Sequence, residues 1–400
     1  MMKSILMLTS IYPTNDPSYE GTAVCHYFTR EWVKMGYNVR VVHFESRFPA
    51  IYYKLAGRFQ QLIMSKTGCV VDLNTPTKVQ SYKVDNVEVL HVPVKKYIPH
   101  RRISEREMKK AVNAVISYLK NNEFLPDVIT AHFPLPQLDA LYQLKKEYYN
   151  TRTCMVFHSA GEIVPRIYKN YRVLFDSVDF WGFRSVAFRN TFEELYGKKE
   201  HEFLCYSGIP SDYLIDTKKV FNNGVNHFSY VGSLYKLKRV EDTISALHQY
   251  FGERNYSFDI VGSGSEFPNL QKKIEELAVN DKVRLLGKKA RNEAQSIMAQ
   301  SDCFIMVSSH EAFGLVYLEA MAKGCITIAT KGQGIDGIIV DGVNGFLCEA
   351  ENPNSIIEVL RRINAMNSEE LSNISRLAQE TAAQMTNENV AMYYIQAITS

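Results

Sequence analysis

Residues 303–330 read CFIMVSSHEAFGLVYLEAMAKGCITIAT. An apolar run, CFIMVSS, is followed by a loop. GLVYLEAMAKG comes next, with its apolar residues at helical spacing, and then a second apolar run, CITIAT. Strand, helix and strand at these lengths make a β-α-β unit. Such units build parallel sheets and leave their binding loops at the strands' C-terminal ends. Glu319 stands in the middle of the apolar helix and Glu311 precedes it. An unpaired carboxylate in an apolar setting is costly, so Glu319 needs either a structural partner or a ligand that satisfies it.

The same alternation extends in both directions. Upstream, HFSYVGSL, SFDIVGSG and KVRLLG read as strands, with helices predicted from about Val240 to Phe251, from about Pro268 to Val279 and over NEAQSIMAQS. The N-terminal half begins SILMLTS (strand), IYPTNDPSYEG (loop), TAVCHYFTREWVKMG (helix, with Thr22 as N-cap and Gly36 as stop) and YNVRVVHF (strand). VEVLHVPV, DVITAHF and TCMVFHS are further strands, and 104–121 is a helix. These patterns predict an α/β chain of two Rossmann-like, doubly wound domains facing a cleft. The expected domains are 1–205 and 206–384, with a C-terminal helix, 385–400, packing back on the first.

Composition excludes several classes. With 46% apolar and 22% charged residues in 400, the chain is globular rather than disordered. A formal charge of +3 is too small to argue for nucleic acid. Seven scattered cysteines without C-x-x-C fit buried small hydrophobes in a reducing compartment, not a disulfide framework or a zinc site. MMKSILMLTSIYP reads as a first buried strand rather than a signal peptide, and no apolar run reaches the roughly 18 residues of a membrane span. The expectation is a cytoplasmic protein, with peripheral attachment at the inner face of the cell membrane left open.

Several constellations bear on chemistry. Gly314 opens the helix that carries Glu319, where first-turn N–H groups lack internal partners and a glycine lets a ligand approach. Glu311 and Glu319 could accept hydrogen bonds from two sets of hydroxyls; equally, Glu319 pairs with a lysine and Glu311 is solvated. Lys236, Lys238 and Arg239 lie between a strand and a helix, where a cation meets a phosphate or simply faces water. Gly21, between the first strand and its helix, frees backbone for an anion. His132 and His158 both end strands, where binding residues belong. Gly332–Gly337, GQGIDG, matches G-x-G-x-x-G but comes late in its domain. No D-x-D and no His/Cys cluster at metal spacing is present, so a sugar diphosphate would need helix termini and Lys/Arg, with no metal or other cofactor.

Taken together, EAFGLVYLEAMAKGCITIAT, VGSLYKLK, FDIVGSG, VRLLG, SDCFIMVSSHE and GIIVDGVNGFL resemble the retaining glycosyltransferases of family four, glycosyl transferases group 1, which have the GT-B fold. YPTNDPSYEGT, PDVITAHF, VFHSAGE and CYSGIPSDYL resemble it more loosely. The resemblance implies that Glu319 holds the ribose hydroxyls and Glu311 contacts the donor sugar. Phe313, Gly314 and Leu315 would line sugar and diphosphate. Lys238 would neutralise the diphosphate, Gly21 approach the phosphates, and His158 sit beside the reacting sugar. Ser233 stands where many members have an arginine paired with that lysine, and SAGE after His158 departs from the commoner glycine-rich form.

The implied reaction is transfer of a sugar from a UDP- or GDP-sugar to a hydroxyl of a glycan or lipid-linked saccharide, with retained anomeric configuration, as in surface-polysaccharide assembly. No carboxylate is placed as a nucleophile, so a front-side route follows, with catalysis by positioning and leaving-group stabilisation. Residues 51–66 and 94–112 mix cations with aromatic and apolar residues; such segments dock on anionic lipid surfaces, although a solvated basic helix accounts for them equally well. A nucleotide-sugar epimerase of the same architecture, a NAD-dependent dehydrogenase resting on Gly332–Gly337, and a non-catalytic binding protein are the alternatives.

Overall fold

The computed structural model describes residues 3–14, 23–49, 77–98 and 101–400. The chain divides into two units: Met1–Arg184 with Phe188–Cys205 and Val390–Ser400, and Ser185–Ala187 with Tyr206–Asn389.

The first unit holds an eight-stranded sheet of β1 (Ser4–Thr9), β2 (Asn38–Arg47), β3 (Gln80–Val84), β4 (Val87–Lys95), β5 (Val128–His132), β6 (Arg152–Phe157), β7 (Phe180–Phe183) and β8 (Glu202–Leu204), in the order β3-β4-β2-β1-β5-β6-β7-β8. All pairs are parallel except β3–β4. That antiparallel hairpin turns at Asp85 and Asn86, both at positive φ, the conformation a two-residue hairpin turn needs and one Asn and Asp tolerate. Central strands such as β1 and β5 are apolar on both faces because helices cover both sides. Helix Glu105–Asn121 starts at Ser104, whose hydroxyl accepts from the Glu107 N–H. The first helix, Val24–Lys34, has Ala23 at its N-cap position with no side-chain cap. The C-terminal segment is tied into this unit: Trp32 Nε1 donates to Ala391 O (2.8 Å) and Lys3 Nζ to Thr399 O (2.7 Å).

The second unit holds a six-stranded, all-parallel sheet of β9 (His227–Val231), β10 (Ser257–Val261), β11 (Val283–Gly287), β12 (Cys303–Ile305), β13 (Ile326–Thr330) and β14 (Phe346–Cys348), in the order β11-β10-β9-β12-β13-β14. Its core gathers Phe228, Phe258, Phe304, Tyr317, Ile328 and Phe346, all at most 1% exposed. The two sheets and their helical layers make an α/β chain of two Rossmann-like units. The six described cysteines are buried and free. No described helix is long and apolar enough to cross a membrane.

Candidate functional site

Strands β9, β12 and β13 are neighbours, so the loops that leave their C-terminal ends emerge side by side. These loops carry Ser233 with Lys238, Glu311 with Gly314, and Gln333 with Gly334.

Gly314 begins the helix Leu315–Ala322 at φ +81°. A Cβ there would lie 2.4 Å from Cε2 of Tyr317, and Tyr317 is held by its hydroxyl, which donates to Met306 O (2.7 Å). Both the backbone conformation and the space therefore demand glycine. No side chain caps this helix; the Tyr317 N–H donates to Gly314 O (3.0 Å), and the N–H groups of Leu315 and Val316 are the first-turn donors left to solvent or a ligand. Leu315 is the first helical residue, and Phe313, 5% exposed, lies against Tyr206 with ring centroids 5.7 Å apart.

Glu311 is pinned from behind by the GQGIDG loop. Its N–H donates to Gln333 Oε1 (2.9 Å) and its carbonyl accepts from the Gly334 N–H (2.9 Å). A Cβ on Gly334 would sit 2.3 Å from Ala312 O. Residues 331–345 run as turns and isolated bridges, and no helix opens after these glycines. A dinucleotide fingerprint requires that helix. The motif is thus a packing device for the Glu311 loop, which removes the ground for the dehydrogenase alternative.

Lys238 ends a short 3₁₀ turn, Lys236–Lys238, and Arg239 follows in the left-handed region at φ +52°. Leu237 O accepts from Ser309 N–H (2.9 Å), which fastens this turn to the Glu311 loop. Nζ of Lys238 then lies 2.5 Å from Oε2 of Glu311, both side chains being largely covered. The solvated Glu311 that the sequence left open is corrected: it is an ion pair. Arg239 is engaged with Asp242 (2.7 Å), so of the three cations Lys238 is the one that faces Glu311. Ser233 is exposed and its carbonyl accepts from the Tyr230 hydroxyl (2.8 Å).

Glu319 projects from the same helix toward the neighbouring helix Arg291–Gln300. Gln295 Nε2 donates to its Oε2 (2.7 Å) and an Arg291 nitrogen lies 3.5 Å from its Oε1. Burial raises its carboxyl above the ordinary 4.5, opposed by Arg291, Gln295 and Lys323. The lysine four residues on, Lys323, does not supply the expected Glu–Lys pair: its Nζ donates to Tyr213 O (2.6 Å). Gln295 and Arg291 were not singled out in the sequence. They are four apart, hence on one helix face, but nothing local indicates what that face meets.

In the first unit, β5 ends at His132 and β6 one residue before His158. Nδ1 of His132 lies 3.0 Å from Nε2 of His158, and Nε2 of His132 lies 3.1 Å from the Tyr394 hydroxyl, which also bonds Thr130 Oγ1. Phe133, at φ +66°, stacks on His158 with centroids 3.9 Å apart. Burial, reinforced by the Arg184 charge, pushes His132 down to about 3 and His158 well below 6.5. Both are neutral at pH 7. Gly21, Thr22 and residues 51–66 lie outside the described residues. Among the described residues, no group of three His, Cys, Asp or Glu could hold a metal ion.

Residues 214–381 match the family model of glycosyl transferases group 1. The chain is 32% identical over 167 residues to N-acetyl-alpha-D-glucosaminyl L-malate synthase of Bacillus anthracis, covering 41% of this chain and 43% of that protein. The matched stretches span less than half the length of the first curated relatives. Among solved structures, a glycosyltransferase from Rickettsia africae superposes with a TM-score of 0.70 at 15% identity, over 99% of this chain and 97% of that one. Anabaena Alr3699/HepE in complex with UDP and glucose does so with a TM-score of 0.64 at 17% identity, over 99% of each. Residues 214–381 are therefore a glycosyl transferases group 1 domain, set in a chain of the GT-B fold.

Proposed function

We propose that the chain is a retaining glycosyltransferase that moves a sugar from a nucleoside-diphosphate sugar to a hydroxyl of a glycan or lipid-linked saccharide, in surface-polysaccharide assembly. The observation that carries this reading is the Lys238–Glu311 pair standing beside the uncapped helix that Gly314 opens, with Glu319 further along the same helix. In this reading Lys238 and the first-turn N–H groups stabilise the leaving diphosphate without a metal. Glu311 contacts the donor sugar's hydroxyls and Glu319 the ribose. Phe313, Gly314 and Leu315 line the sugar and diphosphate, Ser233 borders the phosphates, and Gly21 approaches them. His158 lies beside the reacting sugar. The diphosphate leaves from an oxocarbenium-like sugar, the acceptor hydroxyl attacks the same face, and the leaving phosphate takes its proton. The Anabaena protein's complex with UDP and glucose supports UDP as the first nucleotide to test.

The acceptor side is proposed to work at the inner face of the cell membrane. Lys95, Tyr97, Ile98, Arg106, Lys109 and Lys110 are all exposed within 94–112, a mixture suited to an anionic lipid surface.

The test is thermal stability with UDP, GDP, ADP and NAD, with and without EDTA, for the wild type and Glu319→Ala. A ligand at about 100 times its Kd adds roughly 2.7 kcal/mol. A shift with one nucleoside diphosphate, insensitive to EDTA and lost in Glu319→Ala, supports the reading. A shift with NAD alone overturns it.

A further inference from the structure

His158 presents one ring nitrogen to its surroundings and gives the other to His132. Its Nε2 is taken by Nδ1 of His132, whereas its Nδ1 makes no hydrogen bond among the described residues and the residue is partly exposed. A neutral imidazole has one N–H and one bare nitrogen. With both rings neutral, a single proton lies between them, and their tautomers are locked together. If His132 donates from Nδ1, His158 must accept at Nε2 and carry its own proton on Nδ1. If His158 donates from Nε2, its Nδ1 is bare and His132 must donate from Nε2 to Tyr394.

Tyr394 decides between these arrangements. Its hydroxyl is fully buried between Nε2 of His132 and Oγ1 of Thr130. A phenol is a stronger donor and a weaker acceptor than an alcohol, and a neutral imidazole nitrogen is the strongest acceptor it touches. The favoured order is Thr130 O–H to Tyr394 O, Tyr394 O–H to His132 Nε2, and His132 Nδ1–H to His158 Nε2. We propose that Tyr394 and His132 are positioning residues that hold His158 in its Nδ1–H tautomer, so that His158 offers substrate oxygen a hydrogen-bond donor and not a base. The substrate half of this statement rests on the transferase reading. It agrees with a route in which the leaving phosphate, and no side chain, takes the acceptor's proton. The tautomer half stands on the hydrogen-bond chain alone. A histidine side chain free in water favours the opposite, Nε2–H form, so the assignment is a departure the protein must impose.

The experiment is a long-range 1H–15N spectrum of histidine-labelled full-length protein at pH 7 without substrate, with His158 and His132 assigned from His158→Asn and His132→Asn. Both rings are expected in the Nδ1–H form. Tyr394→Phe keeps the ring that packs on Phe28 and Trp32 (centroids 5.1 and 5.0 Å) and removes the hydroxyl, the donor to His132 and the acceptor from Thr130; His158 should then shift toward Nε2–H. Thr130→Val should leave the tautomer unchanged, because Thr130 donates to Tyr394. Nε2–H in the wild type, no change in Tyr394→Phe, or a flip in Thr130→Val overturns the proposal. A thermal midpoint for Tyr394→Phe close to wild type confirms that the spectrum reports the chain and not unfolding. None of these readouts requires turnover, so failure of the transferase reading shows separately, in the nucleotide titration.

Discussion

Lys238 Nζ lies 2.5 Å from Oε2 of Glu311, 73 residues away in sequence, on loops that leave adjacent strands of one parallel sheet. The pair means that a diphosphate arriving at Lys238 must share the lysine with Glu311 or displace it.

Glu311→Gln should therefore bind UDP or GDP several-fold more tightly than the wild type while losing turnover, because the amide no longer competes for Lys238. Lys238→Ala should lower kcat about 10²-fold, on the order of 3 kcal/mol in the barrier, by removing the charge on the leaving group. Calorimetric titration and steady-state kinetics separate the two effects.

Gly314→Ala should destabilise the second unit by about 2–5 kcal/mol: left-handed backbone costs a non-glycine residue about 1–2 kcal/mol and overpacking about 1–3 more. The new methyl would meet the ring of Tyr317. A thermal midpoint lowered by several degrees is the expected readout.

Glu319 carries a pH signature. Burial raises its folded pKa above 4.5, so the folded state holds that proton more tightly than the unfolded chain. Its contribution to stability is largest below 4.5 and is lost as pH rises through the folded value. The stability of Glu319→Gln relative to wild type should accordingly increase with pH over that window and then level off. Denaturant titrations at a series of pH values measure it.

Gly334→Ala should damage the proposed nucleotide site without touching a ligand. Its methyl would collide with the Ala312 carbonyl and push the loop off Glu311. The expected outcome is a weakened response to the nucleoside diphosphate, with no response to NAD before or after the change.

Each basic residue near an anionic surface contributes about 1 kcal/mol. Changing Arg106, Lys109 and Lys110 together to glutamate should lower partitioning onto phosphatidylserine vesicles by about 100-fold or more in a flotation assay. Wild-type protein that does not float would end the membrane proposal.

The sequence alone determined the alternation of strands and helices. The helix read at Val240–Phe251 occupies those residues, and strands such as SILMLTS and CITIAT lie within a residue or so of their observed ends. Period and punctuation are local properties, which the chain states wherever they occur. The strands β3, β7, β8 and β14 are too short to state a period, whereas the helices Pro353–Asn364 and Ser368–Gln384 do carry the local signal, with buried residues at helical spacing and the capping asparagines Asn352 and Asn367, although the alternation read above does not include them. Tertiary structure decided the partnerships. That Lys238 meets Glu311 and not water, that Glu319 is met by Gln295 and Arg291 and not by Lys323, and that His132 stands between His158 and Tyr394, 262 residues further on, follows from strand order and helix packing. A side chain's partner depends on which segments the fold brings within a few ångströms, and no periodicity in one segment records the position of another.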